Sequence, residues 1–309
     1  MPMPHRTFAQ VAKRRLIGTE GRERIRVVQA LLAELPDYRN GPYADLRKAL
    51  LVEIEDTRVR SNAVHRDSIA VRREGAAQIA LVGPPNVGKS SLLQALSEIQ
   101  IKTGDYAFTT LRPTPALTRI GGVLVQLVEI PGLIEGAAED RGGGRALLGV
   151  VRSADAIVYC SRVDGDPDEV VVVRAEVAAA GIEKPSLLAA TRADEATPGA
   201  FDRLAAAVPD LRIVPVSILD EGSLDAIRDA IWSLTGLIRI RLHANGVTED
   251  EPIALEPGAT VADVADWVHH DLAAAFSGAR VWGPSARFDG QRVGREHVVA
   301  EGDAVEILR

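Results

Sequence analysis

The sequence predicts an α/β fold, in which a mostly parallel β-sheet carries helices on both faces, a helical hairpin precedes it and a smaller α+β domain follows. After Gly75, short apolar runs such as QIALVG and AIVYCSRV alternate with helical stretches. This alternation is typical of parallel strands buried on both faces. The runs ALTRI and VLVQLVEI are joined only by Gly121-Gly122, so they predict a hairpin and one antiparallel edge strand.

The length of 309 residues predicts two or three domains. In the first, apolar residues recur with helical spacing in residues 21–35 and again in residues 43–73. In the last, IRIRLH, the helical stretch VADVADWVHHDL, ARVWG and AVEIL indicate one helix and about four short strands. We place the domains at residues 1–76, 77–237 and 238–309.

The composition, with 46% hydrophobic and 26% charged residues, is that of a globular protein rather than a disordered or fibrous one. No apolar run approaches the ~20 residues that cross a bilayer, and the N-terminus lacks the apolar core of a signal peptide. We therefore expect a cytoplasmic protein without a membrane partner. The single cysteine, Cys160, excludes a disulfide framework, and its apolar surroundings predict a buried thiol.

Charge is distributed unevenly along the chain. Residues 1–75 carry fifteen Lys and Arg against ten Asp and Glu, whereas the whole chain has a net charge of -7. A basic front end on an acidic body suggests contact with a phosphate-rich partner such as RNA. The alternative is a solvated helical face with interleaved charges.

A glycine-bounded loop follows the first strand of the central domain and matches the pattern G-x-x-x-x-G-K-[ST]. Main-chain N–H groups of such a loop, with the N-terminus of the next helix, present donors to a polyphosphate. Lys89 would supply positive charge to the β- and γ-phosphates, and the Ser90 hydroxyl would ligate Mg²⁺. The candidate phosphate-binding residues are Gly83, Pro84, Pro85, Asn86, Val87, Gly88, Lys89, Ser90 and Ser91.

Later segments indicate which base is bound and how the phosphates are sensed. DYAFTTLRPTPA offers paired threonines in a loop, and EIPGLIEG places an acid and a Pro-Gly turn after a strand. A threonine that reaches Mg²⁺ and a glycine whose N–H meets the γ-phosphate are parts of a nucleotide-sensing switch. Two further strands end at Asp194 and Ser217. A carboxylate there accepts from N1–H and the 2-amino group of guanine, which adenine lacks, so Asp194 favours GTP over ATP.

With these motifs the chain resembles the Obg family of GTPases, in particular its developmentally regulated GTP-binding (DRG) branch. The resemblance rests on NVGKSSLL, DYAFTTL, IPGLIEGAAEDRGGGR and RVWGPSARFDGQRVGREHV. It implies a P-loop NTPase G domain followed by a β-grasp TGS domain, which in such proteins is implicated in RNA- or ribosome-associated regulation. No DNA partner is expected. It also implies that Thr110 is the switch I ligand of Mg²⁺ and that Gly132 contacts the γ-phosphate.

The resemblance completes the set of candidate nucleotide-binding positions, with Lys89, Thr110 and Gly132 as the catalytic ones and Ser90, Thr110 and Glu129 as the metal ligands. The positions beyond the phosphate loop are Phe108, Thr109, Thr110, Glu129, Gly132, Thr191, Arg192, Asp194, Ser217 and Ile218.

Three departures from the family pattern affect these expectations. Glu129 stands where the family has aspartate, so the water-mediated hold on Mg²⁺ must shift or weaken. Thr191-Arg192-Ala193-Asp194 replaces N-K-x-D, so guanine selectivity should survive through Asp194 with weaker affinity. The stretch from Val163 to Leu188 is too short for the subdomain that archaeal and eukaryotic DRG proteins insert, which favours a bacterial-type relative.

The residue after Gly132, where many GTPases place a glutamine that orients water, is Leu133. We therefore expect Mg²⁺, Lys89 and a monovalent cation to stabilise the developing charge, while backbone groups position the water. Asn86 occupies the position that coordinates K⁺ in cation-activated relatives; alternatively, its side chain caps the loop. Arg141 and Arg145 are either internal arginine fingers or solvated residues leading into the next helix.

Three functions remain open from the residues. The first is a GTP-hydrolysing switch that engages the ribosome or RNA through its terminal domains. The second is a nucleotide-binding scaffold with little or no hydrolysis, for which Glu129 and the altered guanine motif would be signs. The third is an ATPase, against which Asp194 argues.

Overall fold

The structure, a computed structural model, divides into two compact units, residues 1–68 and 69–309. It describes residues 8, 12, 15–16, 21–35, 41–66, 70–97, 99–100, 112–132, 136–140, 144–244, 246–270 and 276–308.

The first unit contains the predicted helical pair, α1 (Gly21–Glu34) and α2 (Pro42–Arg66). Helix α2 ends before the predicted residue 73, and residues 72 and 73 are instead bonded to the second unit. There the Arg72 carbonyl accepts from Gln126 Nε2 at 3.0 Å, and Arg73 pairs with Asp155 at 2.5 Å. The buried core of the first unit comprises Phe8, Ala12, Val28, Leu31, Leu35, Leu50 and Ile54.

The second unit begins with the predicted α/β region. Its strands are β1 (Gln78–Val82), β2 (Ile99–Gln100), β3 (Thr114–Ile120), β4 (Val123–Glu129), β5 (Ala156–Arg162), β6 (Ser186–Thr191) and β7 (Arg212–Val216). Its helices are α3 (Lys89–Leu96), α4 (Gly144–Ser153), α5 (Pro167–Ala179), α6 (Ala200–Ala207) and α7 (Glu221–Thr235). Within the described residues the strand order is β2-β3-β4-β1-β5-β6-β7.

The sheet is parallel except at one edge. Strand β4 pairs parallel with β1, and β3 pairs antiparallel with β4 as the Gly121-Gly122 hairpin predicts. The prediction of one antiparallel edge strand was incomplete, because the two-residue β2 pairs with β3 and forms the outer edge. A strand of two residues is too short to produce an alternating pattern in sequence.

Helices cover both faces of this sheet, which explains the continuous apolar runs of its strands. In β1, Ile79 and Leu81 face a core shared with α3 and α7, while Ala80 and Val82 face a core shared with α4, α5 and α6. Alternate side chains of a strand point to opposite faces, so every position of β1 is buried.

A second sheet completes this unit. Its elements are β8 (Ile238–Ala244), β9 (Val247–Thr248), β10 (Ile253–Leu255), α8 (Val261–Val268), β11 (Gly278–Trp282), β12 (Gln291–Val293) and β13 (Ala304–Leu308). The strand order is β10-β8-β13-β11-β12, with β9 paired to β8. Helix α8 starts at a capping box formed by Thr260 and Asp263. The sequence predicted about four strands here; the described residues also include the short β9 and β10.

Residues 238–309 contain two tryptophans, Trp267 and Trp282. The sequence predicts that both lie in the core of this small domain, with an exposed ring that stacks on an RNA base as the alternative. Trp267 is 56% exposed, so that prediction was wrong. Trp282 is half-buried and its ring lies 4.4 Å from the ring of His243. The helical pattern of α8 places Val261, Val264 and Ala265 inward, which leaves position 267 on the outer side.

The second sheet touches the first one at the β3–β4 turn. The Arg239 guanidinium lies 4.9 Å from the Trp232 ring centroid and donates to Glu301 at 2.6 Å. A Cβ on Gly121 would lie 1.8 Å from that guanidinium, and one on Gly122 would lie 2.5 Å from the ring of Pro252. Both glycines also have positive φ values, 56° and 88°. Close approach and backbone conformation therefore both require glycine at this turn.

Candidate functional site

The loop after β1 has the backbone that the phosphate-binding pattern requires. Gly88 has φ 88°, and α3 begins at the next residue. Asn86 also lies in the left-handed region, with φ 61°. A Cβ on Gly83 would lie 2.3 Å from the Cys160 carbonyl oxygen, so the loop can leave the sheet here only as glycine. The loop thus turns sharply and ends at a helix N-terminus, where N–H groups are free to meet an anion.

Lys89 is the buried cation of this loop, with 5% exposure. Its Nζ donates to the carbonyl oxygens of Gly83 at 3.0 Å and Pro84 at 2.7 Å. Burial lowers the pKa of Lys89, and the nearby Glu129 carboxylate acts in the opposite direction. The ammonium group of Lys89 therefore lies against the loop, where water screens its charge only partly.

The thiol of Cys160 lies beneath this loop and is fully buried. Burial raises the pKa of Cys160 to about 12. A neutral, inaccessible thiol is not a nucleophile, as the sequence predicted.

Ser90 and Glu129 come together beside the loop. The Ser90 hydroxyl donates to the Glu129 carboxylate at 2.6 Å, because β1 and β4 are neighbours and Leu81 is in register with Glu129. A hydroxyl and a carboxylate are oxygen donors of the kind Mg²⁺ prefers, so these residues fit the ion. The third metal ligand implied by the family resemblance, Thr110, lies with Phe108 and Thr109 outside the described residues.

The chain that follows β4 passes directly over the loop. Ile130 N–H donates to the Leu81 carbonyl at 3.0 Å, which keeps the chain beside β1. A Cβ on Gly132 would lie 2.8 Å from Pro85 Cγ. Only glycine allows this approach, and it brings the Gly132 backbone to the loop where a terminal phosphate would lie.

A cavity of about 210 Å³ opens on the other side of the loop, beside α3. The predicted residues Gly88, Ser91, Thr191, Arg192, Asp194 and Ile218 line it, together with Leu92, Glu195, Val216 and Leu219. Apolar walls with a few polar groups are typical of a site for a flat aromatic ligand.

Thr191 is the structural link between the cavity and the loop. It is 5% exposed, and its hydroxyl lies 2.6 Å from the Val87 carbonyl and 3.1 Å from the Ser161 carbonyl. Arg192, with φ 54°, turns the chain so that Asp194 falls in a short 3₁₀ turn at residues 193–195. The hydroxyl of Thr191 thus ties the end of β6 to the phosphate loop, although this residue replaces an asparagine.

Ser217 supports the cavity wall and is buried. Its Oγ accepts from Leu219 N–H at 3.2 Å, while its backbone N–H donates to Ser223 Oγ at 3.0 Å. The neighbouring Leu219 is 82% exposed yet lines the cavity. Sequence analysis missed Leu219, although an apolar residue in a loop next to Ile218 was a usable signal.

Four further residues were named from the sequence, and the structure describes two of them, Asn86 and Arg145. Asn86 is exposed, and among the described residues its side chain makes no hydrogen bond, so the loop-capping alternative finds no support there. Arg145 Nε donates to the Ala138 carbonyl at 3.2 Å, which fits the solvated-residue alternative. Arg141 and Leu133 lie outside the described residues. Across the part of the chain that is described, no group of three or more His, Cys, Asp or Glu could hold a metal.

Two family descriptions match this chain. Residues 78–192 match the family described as 50S ribosome-binding GTPase, and residues 238–309 match the TGS domain. A protein of Halobacterium salinarum named as an uncharacterized GTP-binding protein is 30% identical, over 77% of this chain and 85% of its own. The developmentally-regulated GTP-binding protein 2 homolog of Dictyostelium discoideum is 26% identical, over 81% of this chain and 87% of its own.

This chain belongs to the DRG family of GTP-binding proteins. The predicted architecture of the DRG family is confirmed: a P-loop G domain with a mostly parallel sheet, followed by a TGS β-grasp domain. Among solved structures, the G domain of the T. maritima FeoB iron transporter is similar, with a TM-score of 0.44 and 21% identity over 51% of this chain and 98% of that one. In the described part of this DRG-family chain, no helix is both long and apolar enough to span a membrane.

Proposed function

We propose that this protein hydrolyses GTP to GDP and phosphate and acts as a nucleotide-dependent switch. The observation that carries the proposal is the convergence of four groups on one loop: Lys89 within it, Ser90 bonded to Glu129, and the Gly132 backbone against Pro85. These groups would surround the terminal phosphates, while Asp194 lines the cavity for the base. Release of phosphate from GTP, measured at substoichiometric protein with and without Mg²⁺, tests the proposal directly.

The loop and the residues around it would have different roles in phosphoryl transfer. Main-chain N–H groups of the loop and of α3 would hold the phosphate oxygens, and Lys89 would neutralise charge that develops on the β–γ bridge. Ser90 and Glu129 would hold Mg²⁺, which supplies charge neutralisation at the phosphates when bound. The Gly132 N–H would donate to the γ-phosphate, so the loss of this phosphate would release the chain after β4.

A binding scaffold with little or no hydrolysis is the second candidate, and one observation favours it. The Glu129 carboxylate accepts directly from the Ser90 hydroxyl at 2.6 Å, so an ion that binds both residues would first have to separate this pair. Tight GTP binding without phosphate release in the presence of Mg²⁺ would support the scaffold and contradict the switch.

Shortening Glu129 to aspartate is expected to strengthen Mg²⁺ binding in the GDP complex. The shorter carboxylate withdraws from Ser90 and leaves its hydroxyl to the ion, whereas E129A removes the carboxylate and should weaken Mg²⁺ binding about 10–100-fold. The measurement is a Mg²⁺ titration of the dissociation rate of a fluorescent GDP analogue. Equal Mg²⁺ midpoints for wild type, E129D and E129A would contradict the assignment.

Potassium is expected to accelerate hydrolysis relative to sodium at equal ionic strength. Asn86 is exposed in a left-handed turn of the phosphate loop, and its side-chain oxygen could serve as a ligand for a large monovalent cation. Asn86→Ala should then remove the difference between KCl and NaCl while leaving GDP binding intact. Equal rates in KCl and NaCl for the wild-type protein would eliminate the cation role.

We also propose that the switch acts on a ribosome or RNA partner. The family description that matches residues 78–192 names ribosome binding, and the TGS domain presents an arginine-rich edge. Arg280 and Arg292 lie directly opposite each other on β11 and β12, with exposed Arg287 and Phe288 in the connection between them. Arg280 pairs with Glu306 at 3.5 Å on its other side, so the charge that a polyanion would meet at this edge comes chiefly from Arg287 and Arg292.

Reversing two charges at this edge, with R287E and R292E together, is expected to reduce co-sedimentation with ribosomes about tenfold at moderate salt. The double variant should retain GTP binding, because Arg292 lies on β12 and Arg287 in the β11–β12 connection, both in the TGS region and away from the phosphate loop. The control is R203E, which reverses an exposed arginine on α6 of the G domain. Unchanged co-sedimentation of the double variant would remove the TGS edge from the proposal.

A further inference from the structure

Residues 136 and 138, which lie between Gly132 and α4 in the sequence, are anchored by a residue of another helix. Glu176, on α5, accepts from the backbone N–H of Gly136 at 2.8 Å through one carboxylate oxygen. Its other oxygen accepts from the backbone N–H of Ala138, also at 2.8 Å. Charged acceptors form the stronger hydrogen bonds of proteins, and here both oxygens of one carboxylate act on one short segment.

This segment is built to receive the carboxylate. Gly136 has φ 82°, a conformation that side chains other than glycine rarely adopt. Ala137, between the two donors, is 1% exposed and belongs to the core under α4 and α5. The backbone therefore faces Glu176 with its N–H groups while its side chain is buried, and neither donor can turn toward water without withdrawing Ala137 from the core.

The far end of the segment is also fixed, by α4. A Cβ on Gly144 would lie 2.4 Å from the Ala137 carbonyl oxygen. The backbone N–H of Arg145 donates to Asp140 Oδ1 at 3.1 Å, and Arg145 Nε donates to the Ala138 carbonyl at 3.2 Å. Residues 136–140 thus form a block that is bonded to both α4 and α5.

The position of this block limits where Gly132 can lie. Gly132 is four residues before Gly136, and four residues span at most about 14 Å. Gly136 is held by Glu176, so the Gly132 backbone is connected to a fixed point only four residues further along the chain. On its N-terminal side, Ile130 connects Gly132 to strand β4 and bonds to β1. A displacement of about 1 Å in a reacting group can cost about 10²-fold in rate, so the anchor at Gly136 matters for chemistry at Gly132.

We propose that Glu176 is a positioning residue for GTP hydrolysis, which holds the chain after β4 so that Gly132 faces the terminal phosphate. The proposal rests on the proposed GTPase activity. Glu176 is not among the residues that line the cavity beside α3, and the contacts through which it would act are those to Gly136 and Ala138. Its effect should fall on states that contain the γ-phosphate and spare GDP, which makes no contact with Gly132.

The test compares the full-length wild type with E176A, E176Q and the control E169A, which removes an exposed glutamate from the same helix. Three quantities are measured: hydrogen exchange of the amides at 136 and 138, the ratio of affinities for a non-hydrolysable GTP analogue and GDP, and the single-turnover rate. In E176A we expect exchange of these amides at least tenfold faster, an analogue-to-GDP ratio about fivefold lower, and hydrolysis at least tenfold slower. E176Q keeps one acceptor and should be intermediate, and E169A should match wild type.

Each outcome either supports or contradicts the positioning role of Glu176. If E176A exchanges faster and loses analogue affinity while wild type does not hydrolyse GTP, Glu176 positions the segment and only the hydrolytic function is wrong. If wild type hydrolyses GTP and E176A matches it in exchange and in rate, Glu176 has no positioning role. If E176A does not fold, E176Q carries the test, and wild-type values for E176Q in all three measurements would overturn the proposal. Equal losses of GDP and analogue binding would reveal a merely structural role.

Discussion

Replacing Asp194 by asparagine is expected to lower the affinity for GTP about a hundredfold or more and to create affinity for xanthine nucleotides. The carboxylate would accept two hydrogen bonds from guanine, at N1–H and the 2-amino group. Asparagine offers an N–H₂ donor toward the 2-amino group, so one donor would face another. Sites that bond a substrate group discriminate strongly against the mismatched partner, because a polar group is left unpaired. Xanthine carries an oxygen at this position and would accept from the new amide.

The matched control for Asp194 is E195Q. Glu195 is the next residue in the same 3₁₀ turn, lines the same cavity and lies 3.5 Å from the Arg192 guanidinium. Its replacement removes a nearby negative charge without changing the group assigned to guanine. Calorimetric titration of both variants with GDP and XDP separates the two. If E195Q loses GDP binding and D194N keeps it, the cavity is oriented differently from our proposal.

Replacing Lys89 by methionine is expected to lower GTP turnover about 10²–10³-fold, the range measured for the loss of one charge-stabilising donor. Methionine keeps most of the buried stem of the lysine, so the change removes chiefly the ammonium group. The burial that lowers the pKa of Lys89 also means that its charge is weakly screened. The folded protein should not lose much stability, because the variant no longer buries a charge, although the carbonyls of Gly83 and Pro84 lose a donor.

The control for Lys89 is K184M, which removes a half-buried lysine from the loop before β6. Phosphate release and the thermal midpoint of unfolding are measured for both variants. A folded K89M protein that retains wild-type turnover would show that this loop is not the phosphate site. A K89M protein that does not fold would be replaced by K89R, which keeps the charge but is too bulky for the loop.

The phosphate loop was predictable because its determinants are contiguous in the sequence. Gly83, Gly88, Lys89 and Ser90 lie within eight residues. Gly88 serves through its backbone conformation, and Lys89 contacts the neighbouring carbonyls of Gly83 and Pro84. The alternation of strands and helices was predictable for a similar reason, because burial on both faces marks every residue of a strand such as β1. Patterns that repeat over a few residues report local structure well.

Contacts between distant segments were not predictable from one sequence. Glu176 is one of several acids on a helix with no clear amphipathic pattern, and nothing in PDEVVVVRAEVAA distinguishes it from Glu169. Its role appears only when the fold brings it to Gly136, 40 residues earlier. The exposure of Trp267 was missed for a related reason, because the aromatic residue suggested burial while the docking direction of α8 decided its environment.

The β3–β4 ribbon joins the two sheets in a way that has a mechanical consequence. One end carries Glu129 beside Ser90, and the other end, at Gly121 and Gly122, rests on Arg239 and Pro252. Seven residues of extended strand measure about 23 Å, so a tilt of about 5° at the Glu129 end shifts the turn by about 2 Å. That is more than the packing around a glycine can absorb. A rearrangement at the phosphates would therefore displace the TGS sheet through the direct contact of Gly121 and Gly122 with Arg239 and Pro252. The β3–β4 ribbon itself would transmit the movement, and no flexible linker would be needed.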